Sequence, residues 1–91
     1  MQTVRVIVRG RVQGVGYRAW TEADATSRGL CGWVRNRRDG TVEAVLSGDS
    51  EAVGAMLHVM RQGPPAARVD GLDISDWSGR VGRSFEVLPT E

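Results

Sequence analysis

Between Arg9 and Trp20 the chain reads RGRVQGVGYRAW, with glycines at positions 10, 14 and 16 and an arginine at 18. Glycine accepts positive φ without a Cβ clash, so this stretch is free to turn successive backbone N–H groups toward one point. A helix opening just beyond would add its unpaired amides and the positive end of its dipole. Together they make a cradle for a tetrahedral anion, best matched to phosphate, with the planar fork of Arg18 holding two oxygens. The same residues also suit a tight strand-to-helix turn with a solvated arginine. Residue pattern alone favours neither.

Three other phosphate devices compete for these residues. GVGYRA, residues 14–19, satisfies the dinucleotide fingerprint G-x-G-x-x-G/A, but a hairpin signal further on breaks the βαβαβ context that fingerprint needs. A Walker A loop requires lysine, and all 12 basic residues here are arginine. Cys31 and Arg37 have the cysteine-to-arginine spacing of thiol phosphatases. That segment reads as a strand, however, without the amides that would lower a thiol pKa, so Cys31 is read as a small apolar residue.

Other groups attract less chemistry. His58 lies off the apolar stripe of its helix and is read as a solvated histidine. Asp70, Asp73 and Asp76 recur in threes on a strand, which spreads them over both faces and leaves no metal site. Asn36 stands at the entry to a turn, and its residue type alone assigns it no more than that. Arg35, Arg37 and Arg38 are read as a solvated rim, with steering of anionic substrates as their one functional option. Trp20, Trp33 and Trp77 are packing residues.

The elements that must position the cradle follow from periodicity. TVRVIVR, residues 3–9, alternates, with Val4, Val6 and Val8 on one face, and is a first strand. A helix runs from about Arg18 to Arg28, its inward side formed by Ala19, Ala23 and Thr26 with Trp20, and Gly29 stops it. CGWVRN and TVEAVLS flank Asp39-Gly40, a hairpin signal, and form strands two and three. Val53, Met56, Leu57 and Met60 give a second helix its buried stripe, after the capping residues Asp49 and Ser50 and before Gly63-Pro64-Pro65. ARVDGLDISDW is a fourth strand whose parity shifts across Gly71, which predicts a bulge. SFEVL adds an optional edge strand. The order β-α-β-β-α-β is the split βαβ, ferredoxin-like α+β arrangement, with two helices on one face of an antiparallel sheet.

Ninety-one residues suffice for one domain spanning 1–91 and one core. No apolar run reaches the roughly eighteen residues of a membrane span, and arginines within the first apolar segment do not suit a signal peptide. A net charge of +1 gives no nucleic-acid footprint. RNA-recognition domains share this element order, but they stack bases on aromatic residues of central strands, and strands one and three have none. One cysteine forms no intramolecular disulfide, so the fold is held by packing and a reducing cytoplasm is the expectation. A monomer is expected for this size.

Two segments taken together are more specific. GRVQGVGYR, residues 10–18, with GWVRNRRDGTVE, residues 32–43, resembles the acylphosphatase family. The resemblance runs from about Val4 to Leu88 and includes GPPAARV at 63–69 and Phe85-Glu86-Val87. Tyr17 stands where that family often has phenylalanine. The resemblance implies hydrolysis of the carboxyl–phosphate bond of small acyl phosphates, releasing inorganic phosphate with no metal and no cofactor. It maps the family's arginine onto Arg18, its asparagine onto Asn36, and its phosphate loop onto Gln13, Gly14, Val15, Gly16 and Tyr17. Acetyl phosphate, 1,3-bisphosphoglycerate and carbamoyl phosphate would all present the same head group to that loop. Similar domains also begin larger hydrogenase-maturation proteins; because the chain ends with the domain, a free-standing enzyme is expected.

Overall fold

The alternation of the first segment becomes a long strand. In a computed structural model describing residues 1–91, β1 (Gln2–Arg11) buries Val4, Val6 and Val8 on one face. The remaining elements are α1 (Tyr17–Ser27), β2 (Cys31–Asn36), β3 (Val42–Gly48), α2 (Ser50–Gln62), β4 (Arg68–Asp76) and β5 (Phe85–Val87). They form a five-stranded sheet in the order β4-β1-β3-β2-β5, and the valine face is covered by the two helices. The βαββαβ order and the edge strand agree with expectation. The sheet is mixed rather than purely antiparallel, because β5 joins β2 in parallel.

Register explains why the two candidate segments share one end of the sheet. β1 and β2 both pair antiparallel with β3, so they run in the same direction and finish at the same edge. Asn36 pairs with Val42, which pairs with Val8. These three side chains form one row on the helix-covered face, three residues before β1 gives way to the glycine loop. β4 slips against β1 between Arg9 and Gly10, where Arg9 faces Gly71 and Gly10 faces Val69. Asp70 is the extra residue of the bulge expected at Gly71. Any Cβ at Gly10 would run into the Arg68 carbonyl, so the bulge requires glycine there.

α1 turns a different side inward from the one its composition suggested. Tyr17, Thr21 and Ala25 are buried, while Ala19, Ala23 and Thr26 are exposed. The reason is Tyr17: its ring fills the core beside Trp20, with centroids 5.4 Å apart, and the buried stripe then follows at i+4 and i+8. On α2, Val53, Met56 and Met60 are fully buried, Leu57 is half-buried and His58 is exposed.

On the other face of the sheet, Glu43 is almost fully buried between arginines that were expected to be solvated. Arg5 Nε donates to Glu43 Oε2 at 2.6 Å, and Arg35 Nε and Arg37 Nη1 donate to Oε1 at 2.8 and 3.2 Å. Arg35 also stacks on Trp33, which meets Trp77 edge-on. Only Arg38 remains on an exposed rim. Strand alternation explains the change: Arg35 lies directly across from Glu43, and residue 37 returns to the same face.

Burial alone would raise the Glu43 carboxyl, but hydrogen bonds from Arg5 and Arg35, and their charges, outweigh it and hold the group below its ordinary 4.5. A carboxyl lowered by folding stabilises the protein above its unfolded pKa and loses that contribution as pH falls through the folded value. Glu43→Gln is therefore expected to cost about 2 kcal/mol at pH 7, less than for a fully buried pair because the arginines reach water. Urea unfolding at several pH values checks this: the gap between wild type and variant should be full at neutral pH, begin to narrow as pH falls through the ordinary carboxylate range of about 4, and close below it.

Candidate active site

The loop between β1 and α1 is held open by two backbone angles. Gly14 has φ +73° and Gly16 φ +80°, while the intervening Val15 has negative φ. Nothing would obstruct a Cβ at either glycine, so the requirement is one of conformation and not of space. Alternating hand in this way curves the chain, the kind of backbone that can gather successive N–H groups into an anion-binding concavity. No backbone N–H from Gly14 to Ala19 donates to another backbone group, and the first bond of α1 is Trp20 N–H to the Gly16 carbonyl at 3.0 Å. Gly16 caps the helix without a side chain, and no acidic residue lies in the first turn. The positive end of α1 is thus left uncompensated.

Arg18 projects into this region. Six of the chain's arginines, at 5, 9, 28, 35, 37 and 68, have carboxylate partners. Arg18 has none, and among the unpaired arginines it alone is withdrawn from full exposure. It lines a cavity of about 270 Å³ together with Val12, Gly14, Gly16, Tyr17, Ala19, Glu22 and Val87. A half-buried, uncommitted guanidinium thus lies beside a run of free amides.

Two further contacts fix the cradle. The Tyr17 hydroxyl donates to the Met60 carbonyl at 2.9 Å, tying the start of α1 to the last turn of α2. Burial pushes its phenol pKa upward, so it remains a neutral donor. Gln13 Nε2 donates to the carbonyls of Arg37 and Thr41, at 2.7 and 2.9 Å. Its carboxamide hydrogens are spent on the β2–β3 hairpin, so its backbone N–H is what it can offer an anion. The hairpin is held in turn by Asp39, whose Oδ1 accepts from the Thr41 amide and hydroxyl at 3.0 and 2.6 Å.

Asn36 closes β2 on the helix-covered face, next to this tethered hairpin. Its side-chain Oδ1 is buried and has no partner within the protein. Its backbone carbonyl accepts from the Glu91 amide at 3.0 Å, and Arg38 N–H donates to the Glu91 backbone oxygen at 3.1 Å, so the last residue straps the hairpin in place. Asn36 is not among the residues that line the cavity, and its acceptor is unspent. A buried acceptor left unpaired costs on the order of 1–3 kcal/mol.

The other sequence candidates separate from the site. Cys31 and Arg37 lie at opposite ends of an extended strand, about 20 Å apart at strand rise, and Arg37 is bound to Glu43. The open face presents ion-paired arginines around Glu43, and β1 and β3 contribute no aromatic side chain to it. Sequence reasoning missed four features: the Gln13 tether, the Glu43 cluster, the Glu91 strap, and Glu22 and Val87 in the cavity wall. Alternation could have found Glu43, a lone acid on an apolar strand facing Arg35. Nothing in the sequence marks the other three.

Fold and geometry define a small α+β domain with unpaired loop amides and an unclaimed guanidinium at the carboxyl ends of two parallel, non-adjacent strands. The acylphosphatase family model matches residues 4–87. An acylphosphatase of Bradyrhizobium diazoefficiens is 52% identical over 94 residues, covering 96% of this chain and 94% of the relative. One from Rhodospirillum rubrum is 56% identical over 90 residues, covering 99% of each. The crystal structure of acylphosphatase from Bacillus subtilis superposes with a TM-score of 0.91 at 35% identity, covering 97% of this chain and 99% of that one. This chain belongs to the acylphosphatase family, whose members are hydrolases acting on acid anhydrides.

Proposed function

We propose that this chain hydrolyses the carboxyl–phosphate bond of small acyl phosphates to a carboxylate and inorganic phosphate, using only its own side chains and amides. The observation that carries the reading is the run of unpaired N–H groups from Gly14 to Ala19, with the uncommitted Arg18 beside it. In this reading the backbone of Gln13, Gly14, Val15, Gly16 and Tyr17 and the guanidinium of Arg18 hold the phosphoryl oxygens. Charge that spreads over those oxygens in the transition state meets donors already in place.

Asn36 aims the water. Its unpaired Oδ1 accepts a hydrogen from the nucleophile, which attacks phosphorus in line as the bond to the acyl oxygen breaks. The leaving group departs as a carboxylate, a weak base that needs no general acid. The attacking water's proton passes to solvent or to the phosphate formed. Because a carboxylate leaves readily and Arg18 supplies the positive charge, the reaction calls for no Lewis acid.

The reading extends to a monomer in the cytoplasm. Apart from Met1, the exposed large apolar residues are Ile74 and Val87, which lie on β4 and β5 at opposite edges of the sheet and form no joint patch. Cys31 is a free thiol. No helix is long and apolar enough to cross a membrane.

Benzoyl phosphate provides the test. Purified protein is expected to release phosphate from it at a rate unchanged by EDTA and to be inhibited competitively by inorganic phosphate. Loss of turnover in EDTA, restored by a divalent ion, would overturn the metal-free reading.

A further inference from the structure

The cavity that Gly14, Gly16 and Arg18 line is also walled by side chains that offer a phosphate nothing: the apolar Val12, Ala19 and Val87, and the carboxylate of Glu22. Glu22 lies four residues after Arg18, one turn further along the same face of α1. It is half-buried, and neither it nor Arg18 has an ion-pair partner, including each other. Val87 closes the opposite side: β5 packs against α1, and alternation from buried Phe85 turns Val87 toward that helix, leaving it 40% exposed.

Resting on the hydrolysis proposed above, we infer that Glu22, with Val12, Ala19 and Val87, forms the acyl-group subsite and selects against acyl groups that carry a second negative charge. Once the phosphoryl group occupies the amides and Arg18, the acyl carbon on its bridging oxygen must extend along the rest of the cavity. That remainder offers apolar walls and a single carboxylate. An uncharged acyl group gains burial there, a cationic one also gains the Glu22 charge, and an anionic one is repelled by it. Rejection by a fixed like charge is a larger discriminator than loss of a few apolar contacts. The favoured substrates are therefore acyl phosphates with neutral or ammonium-bearing acyl groups; those bearing a further phosphate or carboxylate are disfavoured.

Three probes of matched shape test this: benzoyl phosphate, para-carboxybenzoyl phosphate and para-(aminomethyl)benzoyl phosphate. In wild type, kcat/KM should fall in the order aminomethyl, unsubstituted, carboxy. The readout is the ratio of kcat/KM for the carboxy probe to that for benzoyl phosphate, in which any general effect of a substitution on phosphoryl binding divides out. Glu22→Gln should raise that ratio roughly three- to tenfold at low ionic strength and lower the aminomethyl ratio by a similar factor, both effects shrinking as salt is added. Glu22→Arg should invert the wild-type order. Ratios unchanged in both variants would overturn the subsite while leaving hydrolysis intact. Absence of benzoyl phosphate turnover by wild type would overturn the hydrolytic reading, and the subsite with it.

Discussion

Arg18→Gln is expected to lower kcat/KM for benzoyl phosphate by about a thousandfold and to abolish inhibition by inorganic phosphate at millimolar concentrations. The size follows from what is removed. A preorganised donor at a developing oxyanion contributes roughly a hundred- to thousandfold, and an arginine on a transferring phosphoryl group more. A factor of a thousand corresponds to about 4 kcal/mol of transition-state stabilisation. Glutamine retains hydrogen-bonding capacity but loses the charge and the two-pronged geometry. Arg18 has no carboxylate partner, so no ion pair is broken and no acid is orphaned. Thermal unfolding should therefore shift little, which distinguishes a lost site from a lost fold. A variant that retained both turnover and phosphate inhibition would remove the guanidinium from the site.

Asn36→Ala should separate binding from chemistry. Water positioned by a single acceptor loses its alignment when that acceptor is removed, and misplacement on the scale of an ångström costs about a hundredfold in rate. We expect kcat to fall by about that factor while KM and phosphate inhibition stay within about twofold, because the cradle is built from other residues. Stability supplies an independent check. Asn36 Oδ1 is buried without a protein partner, a cost with no structural return within the fold. Removing it should leave the unfolding midpoint in urea unchanged or slightly raised, the pattern of a residue kept for function at the expense of stability. Loss of stability with near-native kcat would make Asn36 a structural turn residue instead.

Much of this architecture is visible in local patterns. Val4, Val6 and Val8 alternate as a half-buried strand must, and Val53, Met56 and Met60 recur at the helical period. Asp39-Gly40 marks the hairpin, and the parity change across Gly71 marks the bulge. Each is a short-range property of the chain: side chains within a few residues report which face is buried. The buried face of α1 escapes local patterns for the same reason. Its small residues allow several stripes, and the choice was made by Tyr17, whose ring and hydroxyl answer to Met60 on another helix.

Long-range pairing decided the rest. Arg35 and Arg37 look like members of a basic rim until β3 sets Glu43 among them; Arg5 reaches the same carboxylate from residues far earlier in the chain. Likewise, twelve arginines are indistinguishable in a string of letters, and only the folded chain shows which of them is half-buried and unclaimed.

Element order, the glycine-bounded loop with Arg18 at its end, and the family those segments belong to are all legible in the amino-acid string, because they depend on neighbouring residues and on motif spacing. Folding in three dimensions settles that no distant acceptor reaches the Gly14–Ala19 amides, that Gln13 and Glu91 brace the hairpin, and that Asn36 is left with a spare acceptor. Those outcomes depend on which distant groups arrive to satisfy a donor or acceptor, and that is fixed only when the strands close into register.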